Sequence, residues 1–175
     1  MRRIRAVVAL AALAGAAAGI APAGAQLLDE AEMKAAFVFN FVQFTNWPPG
    51  VLPDGTAAVV CVRSGSALAQ RLGDVAGRKV PGRTFVLKPL PADARGCHVV
   101  VVDREDAAWL SAASRGLSQW PVLVVADDND GQVTGSDIRL ALSGRKIVFD
   151  VDGVSVRRAG LAVSSRVLQL ARQIR

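Results

Sequence analysis

The heptapeptide Cys97–Asp103, CHVVVVD, carries four consecutive valines, and no other stretch restricts the fold so strongly. A strand presents successive side chains to opposite faces of its sheet. One that is apolar at every position must be covered on both faces, as the strands of a helix-flanked parallel sheet are. Three more runs read as strands: AAVVCVRS, ended by Ser64-Gly65-Ser66, then GRTFVLKPL and WPVLVVADD. Helical segments separate them. SALAQRLGDVAG follows the first run, with Ser64 or Ser66 as its cap. REDAAWLSAASRGL follows the valine run, with Gly116 near its C-terminus. DIRLAL and KIVFDVD, joined at Ser143-Gly144, form a hairpin. One or two helices close the chain, the second beginning near Ser164-Ser165 and turning Val167, Leu168, Leu170, Ala171 and Ile174 mostly inward. The expected fold is α/β: a three-layer sandwich whose mostly parallel sheet has an antiparallel C-terminal hairpin at its edge and helices on both faces.

The N-terminus reads as an export signal. Arg2, Arg3 and Arg5 precede the apolar run AVVALAALAGAAAGIA, and Ala23-Gly24-Ala25 offers a small-residue cleavage site before Gln26. The run is too rich in alanine and glycine for a permanent span, which takes ~20 strongly apolar residues. Residues 1–25 are therefore expected to be removed, leaving 26–175 as one domain that does not insert into a membrane. The full sequence has 21 Lys and Arg against 15 Asp and Glu, and the exported part 18 against 15. That small excess, with no basic stripe interleaved with aromatics, excludes nucleic acid as a partner. Export also changes the reading of Cys61 and Cys97. Outside the cytosol an even pair indicates a disulfide, with two buried free thiols as the alternative.

The chain holds six Phe and three Trp, of which Phe37, Phe39, Phe41, Phe44 and Trp47 crowd into KAAFVFNFVQFTNWPP. Helical spacing over Asp29–Asn46 places Met33, Phe37, Phe41 and Phe44 on one face, and Pro48 ends the helix at Trp47. These rings are either ordinary core or, at Phe39, Phe41 and Trp47, a dimer or partner surface, where aromatics concentrate binding energy. Phe149 in the hairpin is a fourth candidate for that surface.

Catalytic chemistry is sparse. His98, the one histidine, adjoins Cys97 on a strand, so the two side chains face opposite ways and do not form a nucleophile–base pair. DDNDG, Asp127–Gly131, fails the spacing of a calcium loop, because glycine falls at position 5 rather than 6. Ser64-Gly65-Ser66 lacks the glycines of a dinucleotide fingerprint and reads as a helix cap. No catalytic residue, metal ligand or cofactor is assigned. Asp103 and Asp127 end successive strands, where ligands of open α/β sheets bind, and mark a candidate small-molecule pocket.

EAEMKAAFVFNFVQFTNWP resembles the signature of the YfiR/HmsC-like family of exported bacterial proteins. AVVCVRS, VPGR and GCHVVVVDR keep the family's order, with Cys61 and Cys97 in place. Phe149, Ala159-Gly160-Leu161, Ser164-Ser165 and Leu168 are similar to its C-terminal pattern. Asp152 stands where the family usually has Asn, Gly135 stands alone where a glycine pair is common, and a second cysteine pair found in some members is missing. The resemblance implies a periplasmic, non-enzymatic regulator that binds and inhibits the periplasmic sensor region of an inner-membrane diguanylate cyclase, lowering cyclic-di-GMP and biofilm output. It implies no cofactor, and the aromatic face allows for a homodimer. The alternative is a periplasmic small-ligand binding module.

Overall fold

The computed structural model describes residues 23–77, 82–117 and 120–175, so the expected export signal lies outside it up to residue 22. Helix α1 (Ala23–Phe44) leads into a short strand β1 (Thr45–Asn46). There follow β2 (Ala58–Val62), α2 (Ala67–Val75), β3 (Phe85–Pro89), β4 (Val99–Asp103), a single 3-10 turn (Arg104–Asp106), α3 (Ala107–Leu117) and β5 (Leu123–Asp127). The hairpin is β6 (Ile138–Ser143) and β7 (Lys146–Val151). The chain ends in α4 (Gly153–Arg158), β8 (Ala162–Val163), α5 (Ser165–Leu168) and β9 (Gln173–Ile174).

Seven strands form one sheet in the order β3-β2-β4-β5-β6-β7-β9, antiparallel only between β6 and β7. The valine run behaves as its composition requires. Val99 and Val101 join the core under α1 and α2, while Val100 and Val102 join the core under α3. All four are buried, and each fully buried valine contributes roughly 1.5–3 kcal/mol. Helices thus cover both faces, and the sandwich has three layers.

Phe37 and Phe41 pack on Phe149 of β7, with ring centroids 5.6 and 5.1 Å apart, and Phe39 meets Phe85 of β3 at 6.2 Å. The helix therefore holds strands near both ends of the sheet. Its inward stripe differs from the expected one. Ala31, Lys34, Ala35, Val38, Phe41 and Val42 are buried, whereas Met33 is exposed. The two stripes have the same helical spacing, and a lysine in the true one disguised it. The helix also stops at Phe44, earlier than expected, because Thr45 and Asn46 pair antiparallel with Val163 and Ala162.

The C-terminus departs further from expectation. Its second helix is a single turn, after which the backbone extends and pairs parallel with Asp150 and Val151. The outer edge of β7 offers hydrogen bonds that a helix would forgo: Arg172 N donates to the Phe149 carbonyl at 2.8 Å, and Arg175 N to that of Val151 at 3.0 Å. Val167 is buried as expected, but Leu170 and Ile174 are exposed. The hairpin consequently lies one strand inside the sheet edge.

An ion cluster secures this last strand. Asp150 accepts from Arg139 Nη2 at 2.5 Å and from Arg172 Nε and Nη2 at 2.9 and 2.6 Å. The Arg172 hydrogen bonds, aided by Arg139, hold the Asp150 carboxyl down at about 2. A carboxylate with a depressed pKa stabilises the fold above its unfolded pKa, and that contribution fades as pH falls through the folded value. Asp150→Asn is expected to cost about 1–2 kcal/mol at neutral pH. In denaturation series the gap between variant and wild type should narrow as pH drops from 3.8 towards about 2; a gap independent of pH would contradict the assignment.

Candidate functional site

The order of the parallel strands reverses between β2 and β4, and the carboxyl ends of the strands beside such a reversal border a crevice in open α/β sheets. Here the crevice is a cleft of about 330 Å³. Val62, Leu68 and Val101 contribute its apolar wall; Glu30, Asp103 and Asp127 contribute charge. Asp103 and Asp127 are direct neighbours in the β4–β5 register. The structure thus brings the two sequence-predicted aspartates together at one opening.

Lys34, missed as a site residue in the sequence reading, occupies the centre of this region with only 2% of its surface exposed. Its ammonium group donates to Glu30, to Asp127 at 2.5 Å and to Asn129 Oδ1 at 3.2 Å. Three hydrogens meet three acceptors, so the buried charge is matched within the protein. Asn129 extends the network, donating to Glu30 at 3.1 Å and accepting from Leu142 N at 2.7 Å. The pair Glu30/Lys34, four residues apart on α1, was the signal that could have revealed it.

The two carboxylates respond differently to this environment. Burial pushes the Asp127 carboxyl up, and the Lys34 hydrogen bond and charge do not fully compensate. Burial also acts on Glu30, but bonds from Lys34 and Asn129, with the Lys34 charge, leave it below its ordinary value. The rest of DDNDG is accounted for by loop architecture. Asp128 accepts from Gln132 N and Val133 N at 3.1 and 2.9 Å, and Asp130 faces Arg104 at 3.5 Å. Among the described residues, no group of three or more His, Cys, Asp and Glu side chains converges as a metal site requires.

His98 is built into the sheet. Its Nδ1 accepts from Val59 N at 2.9 Å, and Nε2 lies 3.1 Å from the Val51 carbonyl, to which the neutral Nε2–H tautomer donates. Burial, with the nearby Arg83 and Lys88 charges, pushes its pKa down against the Val51 bond. Cys61 and Cys97 form a disulfide of 2.02 Å that joins β2 to the residues entering β4 beneath α3. A loop of this length confers about 4 kcal/mol in the chain-entropy description.

The aromatic helix and the Ser-Ser segment, remote in sequence, meet at the end of α1. Ser164 N donates to the Phe44 carbonyl at 2.8 Å, next to the β1–β8 pairing. Gly160 adopts φ +72°, and a Cβ there would approach Pro48 Cγ to 3.4 Å. Trp47 stacks against the Arg83 guanidinium at 5.5 Å and meets His98 edge-on at 6.4 Å. These same segments carry the sequence likeness, and the model of the YfiR/HmsC-like family matches residues 31–172.

The chain belongs to that family.

No curated protein matches the chain. The family pattern acquires a structural meaning here, since its N-terminal and C-terminal parts clamp each other. Of the surface candidates, Phe41 and Phe149 are buried in the core and reach no partner without rearrangement. Phe39 and Trp47 are partly buried against it. Asp152, in the place of the family's usual Asn, caps α4 by accepting from Ser155 N at 2.8 Å. That bond needs only a side-chain oxygen, which either residue supplies. The Val80-Pro81 part of VPGR lies outside the described residues.

Removing the Lys34 charge strands two carboxylates. Lys34→Met is expected to destabilise the protein by about 3–5 kcal/mol in urea unfolding. Adding Glu30→Gln and Asp127→Asn should restore most of that loss. A Lys34→Met protein as stable as wild type would show that the network does not hold α1.

Proposed function

We propose that this protein is a periplasmic regulator that binds the sensor region of an inner-membrane diguanylate cyclase and holds the enzyme inactive. In this reading residues 1–25 are a cleaved signal peptide and 26–175 form the working domain. The family match over residues 31–172 carries the reading. The side chains best suited to chemistry also serve the fold: both His98 ring nitrogens are engaged, both cysteines are joined, and Lys34 meets three acceptors. Such a protein acts by differential affinity, shifting its partner only as far as it prefers the inactive conformation.

The disulfide serves this role chiefly as a staple. Both sulfur-bearing residues are buried under α3, so a reductant reaches them only when that layer opens. Redox control would therefore act through local unfolding rather than through a surface thiol.

A second reading follows from the cleft at the strand reversal. Its volume of about 330 Å³ and mixed apolar and acidic lining suit a small ligand. In that case the protein is a ligand-binding module, and Asp103 and Asp127 line its site.

Deleting the gene is expected to raise cyclic-di-GMP, with restoration by the wild-type chain. An unchanged nucleotide level, combined with a metabolite that raises the unfolding temperature of wild type but not of Asp103→Asn/Asp127→Asn, would replace the regulator reading with the second one.

A further inference from the structure

Charge is unevenly distributed along this chain. Residues 153–175 contain five arginines and no carboxylate side chain, whereas residues 26–152 contain 13 Lys and Arg against 15 Asp and Glu. Part of this segment lies along one margin, where β9 forms the edge of the sheet, whereas Arg158 lines a pocket against α3 beside Asp137. Gly153 N donates to the Arg175 carbonyl at 2.9 Å, which sets the start of α4 beside β9. A Cβ at Gly153 would lie 3.2 Å from Arg157 Nη1 and 3.7 Å from Ile174 Cγ2, so these side chains adjoin. Arg172 and Leu170 precede β9, and Arg166 and Leu170 line one groove beside α5.

Exposed aliphatic groups belong to the same segment: Leu170 is 74% exposed, Ile174 55% and Val154 49%. Arg175 borders a pocket with three acids, each of them engaged: Asp150 by Arg139 and Arg172, Asp152 on the α4 cap and Asp137 by Val124 N. We propose that this margin, centred on Arg157, Arg166, Leu170, Ile174 and Arg175, docks on the surface of an anionic lipid bilayer.

The pattern fits a bilayer better than a protein groove. Protein interfaces draw most of their affinity from aromatic anchors seated in pockets. Here the nearest rings, Phe37 and Phe44, pack against the core. Single aliphatic side chains spaced between arginines instead suit the headgroup boundary, where apolar tips enter and guanidinium groups stay with phosphates. Each basic residue near an anionic surface strengthens binding about fivefold, and the attraction falls within a Debye length. Docking would confine the protein to the plane in which a membrane-anchored partner moves. The inference does not depend on that partner being a cyclase.

Co-sedimentation of the exported chain, its N-terminus read by mass spectrometry, with vesicles provides the test. Wild type is expected to bind vesicles of equal parts phosphatidylglycerol and phosphatidylcholine, to ignore pure phosphatidylcholine, and to be released by salt. Arg157→Ala/Arg166→Ala/Arg175→Ala should bind about a hundredfold more weakly with an unchanged unfolding temperature. The corresponding triple change to Lys should retain binding, because charge rather than the guanidinium fork is required. Leu170→Ser/Ile174→Ser should weaken binding to the anionic vesicles at low salt. Absence of wild-type binding, equal binding to the two vesicle types, or full binding by the alanine variant would each overturn the proposal.

Discussion

The ammonium group of Lys34, taken out of water and shared among Glu30, Asp127 and Asn129, determines where the first helix sits. Apolar contacts alone would let a helix slide over a sheet of valines at little cost, since hydrophobic attraction has no direction. A buried charge has no such freedom, because any displacement leaves it facing apolar side chains. Lys34 therefore registers α1 against the carboxyl ends of the central strands. The remainder of the helix then aligns: Phe41 reaches Phe149, Phe39 reaches Phe85, and Thr45 meets Val163.

From that placement follow both the clamp and the cleft. At one end of α1, strands β1 and β8 tie the aromatic segment to the Ser-Ser segment. At the other end, Glu30 and Lys34 form part of the wall of the crevice at the strand reversal. One helix therefore borders both places. The disulfide is separate from this arrangement, lying on the opposite face of the sheet under α3.

Much of the architecture was legible in local composition. Four valines in succession demanded cover on both faces, and Val99 to Val102 alternate between the two cores accordingly. Of the two candidate caps Ser64 and Ser66, it is Ser66 that caps α2, accepting from Ala69 N at 3.0 Å. Cys61 and Cys97 are joined, and the hairpin turns where expected. Asp103 and Asp127 were predicted at adjacent strand ends and stand in register there. The inward stripe of α1 was misread because hydropathy assigns a lysine to solvent, and only its partners from β5 and the following loop make burial tolerable.

The sequence by itself determined the layers, the six longer strands and the family, and favoured the cysteine pair. Each depends on residue type and near spacing, which one chain displays directly. Only the tertiary structure decided that Lys34 is buried, that the C-terminal segment extends beside β7 rather than coiling, and that Arg172 and Arg139 converge on Asp150. Those outcomes hinge on hydrogen-bond partners and charges contributed from distant parts of the chain. An acceptor more than 90 residues away, such as Asp127 for Lys34, leaves no mark on local periodicity.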